Sequence, residues 1–295
     1  MYIFQKIEEV TLQNNETRRT VGEFLLNHRD KITEYRMEDV AKLTYTSKPT
    51  LSRFAKLMGY PGWKEFVYAF SHETVNLKDV EYVNIDANYP FSNSADPLEI
   101  VERITSLQIQ SIEDTIQQLN MESLKEAAEL VHSAHRVAIY GTSPNNYYGG
   151  MFKRKLLGIG KDAVFAELGE AGVISQTLSE QDVAIIISYS GNNVHREPTI
   201  NLKYLVHRKV KIIGITSAGD NLVSKYSDAT LFISSKEKLY SKISSYTTEQ
   251  SIILLLNLLY SMVFSLDFET YEQNKITSSS LMEIQRHSEL IDLSE

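Results

Sequence analysis

Cysteine is absent from the 295 residues, which removes disulfides, thiolate metal sites and cysteine nucleophiles together and suits a reducing compartment. No secretory leader is expected: MYIFQKIEEVTLQNNETRR shows no basic segment followed by an apolar run and a small-residue cleavage site. The most apolar stretch, Ile252 to Leu266, falls short of the roughly 20 residues of a bilayer span and contains Asn257 and Ser261, so it is expected as a buried helix. There is no internal repeat and no low-complexity tract. No Gly-x-Gly-x-x-Gly follows a strand-like run and no Gly-Lys-Ser/Thr occurs, which leaves nicotinamide and nucleoside triphosphate sites without support. His132 and His135 lie three apart with no evident third ligand. The expectation is a cytoplasmic protein with no membrane segment, metal or cofactor.

What is present is unevenly distributed. The net charge is -8, which argues against a chain that coats nucleic acid indiscriminately. Yet between Ala41 and Lys64 the sequence carries Lys42, Lys48, Arg53, Lys56 and Lys64 with no acidic residue. Local charge matters more than the total for a nucleic-acid contact.

Residues 17–27 place Val21, Phe24 and Leu25 at helical spacing, and residues 37–43 form a second short helix with Val40 and Leu43 inward. A third opens at Ser47 as N-cap, with Pro49 in its first turn and Leu51, Phe54, Leu57 and Met58 as its apolar face, and ends at Gly59. Another begins at Gly62-Trp63. The polar, aperiodic stretch around Pro90 reads as a linker. Two helices over 97–118 and 121–133 follow. Then apolar runs alternate with helical segments: Val137 to Tyr140, Ala163 to Phe165, Val183 to Ile187, Lys211 to Ile215 and Ala229 to Ile233. Such alternation marks a parallel sheet wrapped by helices. The expected fold is therefore an all-α helix-turn-helix domain (1–76), a linker (77–95) and an α/β domain (96–295) with a five-stranded parallel sheet flanked by helices.

The segment Met37 to Lys56 reads as two helices separated by a turn, with Ala41 as the small residue where they cross. In such a motif the second helix enters the major groove. Its polar positions are Ser47, Lys48, Thr50, Ser52, Arg53 and Lys56. Arg53 suits bidentate contact with guanine, while the hydroxyls suit phosphates or bases. The plainer reading is a solvated basic face of a helical bundle. The run Thr46-Ser47-Lys48-Pro49-Thr50-Leu51-Ser52-Arg53-Phe54-Ala55-Lys56-Leu57-Met58-Gly59-Tyr60-Pro61-Gly62-Trp63-Lys64-Glu65-Phe66 resembles the N-terminal domain of the RpiR family of bacterial regulators. That resemblance covers residues 1–76 and implies operator DNA as partner and control of sugar-utilisation genes.

Two hydroxyl-rich loops follow strand-like runs: Gly141-Thr142-Ser143-Pro144-Asn145-Asn146 and Ser188-Tyr189-Ser190-Gly191-Asn192-Asn193. Each is expected to lead straight into a helix, where free N–H groups and the helix dipole favour an anion such as phosphate. Such loops also serve as ordinary turns and caps. Residues 96–268 resemble the sugar isomerase (SIS) domain. The resemblance implies that Gly141, Thr142, Ser143, Ser188, Ser190, Gly191 and Asn193 hold the phosphate of a phosphorylated sugar effector. Asn193 stands where the family's pattern has threonine, and Ser244 and Ser245 resemble a further ligand-contacting serine position.

The same domain also occurs in aldose-ketose isomerases, whose chemistry needs a base. Glu167, Glu170, His195 and Glu249 are the candidates, but no spacing among them demands catalysis. No catalytic residue is assigned, and the expected protein is a regulator rather than an enzyme. An isomerase and a purely assembling module are the alternatives. A homodimer or dimer of dimers is expected, because helix-turn-helix proteins bind two-fold sites as dimers.

Overall fold

The computed structural model describes residues 3–11, 15–76 and 85–283, and they divide into two compact units. One comprises Met1–Asp114 with Ser234–Gln250, the other Thr115–Ile233 with Ser251–Glu295.

The first unit opens with five α-helices: α1 (Ile3–Thr11), α2 (Glu16–Asn27), α3 (Met37–Leu43), α4 (Lys48–Leu57) and α5 (Trp63–Asn76), with a 3-10 turn over Arg29–Glu34. Each boundary has a chemical cause. The Asn15 side chain accepts the Arg18 N–H at 3.0 Å to start α2, and the Arg36 N–H donates to Asp39 Oδ2 at the start of α3. The Ser47 hydroxyl accepts the Thr50 N–H to start α4, with Pro49 in the first turn. The helices close on a core of Ile7, Val21, Leu25, Val40, Leu51, Phe54, Phe66 and Phe70.

Two expected core residues point outward. Leu43 is 52% and Leu57 39% exposed. Leu57 lies about 110° around the helix from the centre of the stripe of Leu51, Phe54, Ala55 and Met58 that faces the core. At the C-cap of α3 the inward position falls instead to Thr44, buried and bonded to the Val40 carbonyl at 2.7 Å. Helix α1 was not expected from the sequence.

Of the segment expected as a linker, residues 77–84 lie outside the described residues. Its second half, 85–95, is anchored. Asn88 is buried, its Oδ1 accepts the Lys238 N–H and its carbonyl accepts the Ile243 N–H at 2.8 Å. Helix α6 (Pro97–Gln117) follows.

The second unit is a doubly wound sheet. After α7 (Met121–Ser133) come β1 (Arg136–Gly141), α8 (Asn145–Gly158), β2 (Asp162–Phe165), α9 (Ala171–Thr177) and β3 (Val183–Ser188). Then follow α10 (Leu202–His207), β4 (Lys211–Ser217), α11 (Leu222–Tyr226), β5 (Ala229–Ile233), α12 (Tyr246–Leu266) and α13 (Phe268–Glu283). All four strand pairings are parallel and the order is β2-β1-β3-β4-β5. Both faces are covered, as a parallel sheet requires. Ile139, Ile185 and Ile213 meet Val131, Phe152, Leu156, Leu255 and Leu259 on one face. Tyr140, Ala184, Ile186 and Ile212 meet Ala171, Leu202, Leu205 and Val223 on the other. Gly149 lets α8 approach closely, because a Cβ there would stand 2.7 Å from the Phe165 ring.

Among the described residues α12 is the one helix long and apolar enough to cross a membrane by length and composition. Ile252, Leu255, Leu256, Leu259 and Val263 on it are buried in the sheet's core, as expected for a core helix. Of its other apolar residues, Ile253, Leu254, Leu258, Met262 and Phe264 are only half-buried and Leu266 is exposed, so it is not enclosed all round.

Candidate functional site

Helix α4 presents Lys48, Arg53 and Lys56 as exposed side chains, with Thr50 and Ser52 half-buried. Its N-terminus is already organised. The Ser47 and Thr50 hydroxyls bond each other at 2.9 Å, and the Arg53 Nε–H donates back to the Pro49 carbonyl at 3.4 Å. Lys48 pairs with the exposed Glu38 carboxylate of α3. That bond to the ammonium, reinforced by its charge, holds Glu38 below the usual carboxylate range. Lys48 would therefore exchange an intramolecular partner for any phosphate, whereas among the described residues Lys56 has no ion pair. Thr50, Arg53 and Lys56 follow one another at i, i+3 spacing, the arrangement that lets one helix face meet a groove.

The β1 loop, Thr142-Ser143-Pro144, is exposed and leads directly into α8, with Asn145 N–H bonded to the Thr142 carbonyl at 2.8 Å. The positive end of a 14-residue helix thus faces these hydroxyls. Asn145 Nδ2 donates to the Ile187 carbonyl at 3.3 Å, tying this loop to the end of β3. Gly141 and Ile187 are direct register partners. Both loops therefore flank the crevice between β1 and β3, where the strand order reverses.

The β3 loop departs from expectation, for no helix follows it directly. Residues 194–198 form turns, Thr199–Asn201 is a 3-10 turn, and only the six-residue α10 comes after. The loop is organised from below instead. Gly191, at φ 62°, stands so close to the end of β4 that a Cβ would lie 2.3 Å from Asn221 Oδ1 and 2.7 Å from Thr216 Oγ1. The Tyr189 carbonyl accepts from Ser217 N–H at 3.0 Å and from the Thr216 hydroxyl at 3.2 Å. The Gly191 carbonyl accepts the Val223 N–H, and Asn192 Oδ1 the Leu222 N–H, both at 3.2 Å. Ser188 Oγ accepts the Gly191 N–H at 3.3 Å, which leaves its proton for donation outward. Asn193 Oδ1 accepts the His195 N–H at 3.1 Å, so the amide NH2 is the group it offers to an anion.

Ser244 and Ser245 fall in the other unit. The Ser245 carbonyl accepts the Glu249 N–H at 2.9 Å in the first turn of α12.

Of the carboxylates and histidine weighed as bases, Glu167, Glu170 and His195 are exposed and Glu249 is half-buried. Two groups escaped the sequence reading. Glu197, beyond the β3 loop, is pushed above its ordinary range by burial. Tyr140, buried at the end of β1, is pushed up to about 12, mainly by burial, while its bond to Ser175 opposes the rise and the nearby Glu197 charge adds to it. Neither stands in a recognisable motif. His132, weighed as a metal ligand, bonds the Tyr271 hydroxyl at 2.9 Å.

Two family models match. Residues 1–76 match the helix-turn-helix domain of the rpiR family, and residues 130–261 match the SIS domain. The chain belongs to the RpiR family. It is a helix-turn-helix transcriptional regulator with an SIS domain. Curated relatives of this family run the length of the chain. An uncharacterised HTH-type transcriptional regulator of Clostridium perfringens is 24% identical over 280 residues, 95% of this chain and 98% of its own. One of Thermotoga maritima is 22% identical over 287 residues, 95% and 99% of the two chains. Among solved structures, the Vibrio vulnificus NanR protein complexed with ManNAc-6P superposes with a TM-score of 0.60 at 18% identity, covering 97% of this chain and all of its own. The sugar isomerase domain of an RpiR transcription factor from Sphaerobacter thermophilus gives 0.53 at 18% identity over 64% of this chain and 99% of its own. A putative sugar-phosphate isomerase from Listeria monocytogenes gives 0.54 at 18% over 62% of this chain and 98% of its own. These likenesses establish a shared fold.

Proposed function

We propose that this RpiR-family regulator senses a phosphorylated sugar, held between the β1 and β3 loops, and that occupancy sets its affinity for operator DNA. The observation that carries the reading is the meeting of two hydroxyl-bearing loops at the one place where the sheet reverses its strand order. Open α/β sheets bind ligands in the crevice outside the carboxyl ends of the strands at such a point. Thr142 and Ser143 approach from the β1 side. Ser188, Ser190 and the Asn193 amide approach from the β3 side, with Gly191 admitting the backbone close to the anion. That a structural relative of the same fold was solved with ManNAc-6P supports a sugar phosphate over other anions. The sensor binds without turnover, since none of the weighed bases is buried, and it acts as a dimer on a two-fold operator. The working division is a DNA-binding domain (1–76), a connecting segment (77–95) and a sensing domain (96–295).

The test is operator binding followed by fluorescence anisotropy with a panel of aldose, ketose and amino-sugar phosphates. A Ser188→Ala, Ser190→Ala double variant is expected to bind operator as wild type does and to lose the response, because charge-assisted bonds to the phosphate are gone. A full response in the variant overturns the assignment. Isomerised product in the same incubations would restore the enzyme reading.

A further inference from the structure

Helices α3 and α4 end in the same backbone device, a capping residue followed by one in the left-handed region. At the end of α4 that residue is Gly59, φ 93°, with Gly59 N–H bonded to Lys56 O and Tyr60 N–H to Ala55 O, both at 3.0 Å. At the end of α3 the matching bonds are Tyr45 N–H to Lys42 O at 3.2 Å and Thr46 N–H to Ala41 O at 2.8 Å. Here the left-handed residue is Tyr45, at φ 51°. Glycine is the usual occupant because a Cβ is penalised there, and a bulky aromatic is a true outlier. Nothing in the fold repays the penalty, since the Tyr45 side chain is 96% exposed.

The position is not arbitrary. Tyr45 lies in the turn between the two motif helices, two residues before the Ser47 N-cap of α4, beside the exposed side chains of Lys42, Ser47 and Lys48. This turn must lie against the duplex when the N-terminus of α4 enters the major groove. The geometry points to Tyr45 as a DNA contact whose phenol O–H donates to a backbone phosphate flanking the groove. The inference rests on the helix-turn-helix acting as the DNA-binding element. Strain kept at an exposed position with no packing return is what a functional contact leaves behind. A phenol is neutral, so the bond adds affinity without displacing a counterion. Contacts to phosphate are also independent of sequence.

The experiment measures binding of the full-length protein to a mixed-sequence duplex at several salt concentrations, for wild type, Tyr45→Phe, Tyr45→Gly and Lys56→Ala. Tyr45→Phe keeps the ring and the backbone penalty and removes only the donor. It is expected to bind about tenfold more weakly at every salt concentration, with the slope of log K against log salt unchanged. Tyr45→Gly should lose at least as much affinity while melting no lower than wild type, because glycine accepts the left-handed conformation. Lys56→Ala should lower the slope by about one unit. Wild-type binding by Tyr45→Phe, or a changed slope in it, overturns the contact. If Lys56→Ala also binds as wild type does, the failure lies with the helix-turn-helix reading itself.

Discussion

At the scale of single residues, the structure separates side chains that hold the fold from those left free to act. Gly191 belongs to the first group, and Gly191→Ala is expected to cost about 1–3 kcal/mol in urea unfolding, since a Cβ must displace Asn221 or Thr216 from a packed corner. The sugar-phosphate response should disappear with it. Tyr140 makes a test in alkaline solution. Its folded-state value of about 12 exceeds the unfolded value near 10. A raised value contributes stability that is complete below the unfolded pKa and is lost as pH climbs through the folded one. Stability should therefore fall by about 2–3 kcal/mol between pH 10 and 12 from this group alone. Tyr140→Phe should flatten that part of a urea-midpoint profile. The variant strands no partner, because the Ser175 hydroxyl still donates to the Ala171 carbonyl at 2.7 Å. Arg53→Ala, on the recognition helix, is expected to lose roughly 1–3 kcal/mol of operator binding and to relax base preference, read by gel shift against operator and scrambled duplex.

Among elements, α12 shows how a charge is spent on architecture. The buried Glu237 carboxylate accepts the Thr247 N–H and hydroxyl, the Thr248 N–H at 3.2 Å, the Thr248 hydroxyl at 2.8 Å and the Ser235 hydroxyl at 2.9 Å. It thus satisfies orphan donors at the positive end of a 21-residue helix. Glu237→Gln keeps the shape but turns an NH2 toward those donors, and about 1–3 kcal/mol of stability should be lost, read from the urea midpoint. Nothing in Ser234-Ser235-Lys236-Glu237-Lys238 distinguishes that glutamate from a solvated surface carboxylate, so long-range capping was illegible. The strands were legible because Val183 to Ile187 and its counterparts are short unbroken apolar runs, as strands buried on both faces must be. The α3–α4 pair was legible from Ser47, Pro49 and Gly59. Helix α13 was not, since Phe268-Glu269-Thr270-Tyr271-Glu272-Gln273 buries only Tyr271 of these and shows no apolar period. The delayed helix after β3 was missed for another reason: the loop resembles one that enters a helix at once, and the turns at 194–198 carry no pattern that contradicts it.

For the whole molecule, the functional question is how much one ligand can move the other. An effector changes operator affinity only by the difference in its own affinity for the two states, typically about 1–3 kcal/mol, or 5–150-fold. The coupling is reciprocal. Saturating operator DNA must therefore change sugar-phosphate affinity by the same factor, and titration calorimetry with and without DNA should return equal ratios within error. Unequal ratios would mean that the two ligands do not share one equilibrium. The candidate residues for both ligands were named from local sequence, because they lie in short contiguous segments, 47–56 on α4 and 141–143 and 188–193 in the two loops. What local sequence left out is the footing beneath them.

That footing sets a limit on modular engineering. Residues 188–193 owe their shape to Thr216, Ser217, Asn221, Leu222 and Val223, some 27–32 positions later in the chain. Transplanting the loop alone into another parallel sheet would carry the hydroxyls without their mould. A chimera that exchanges 188–193 together with 216–223 should retain the donor regulator's ligand preference, whereas exchange of the first segment alone should yield a soluble protein indifferent to either sugar. Loop and mould form one heritable unit split across the sequence, so a side chain at position 191 is permitted only where Asn221 and Thr216 have changed with it.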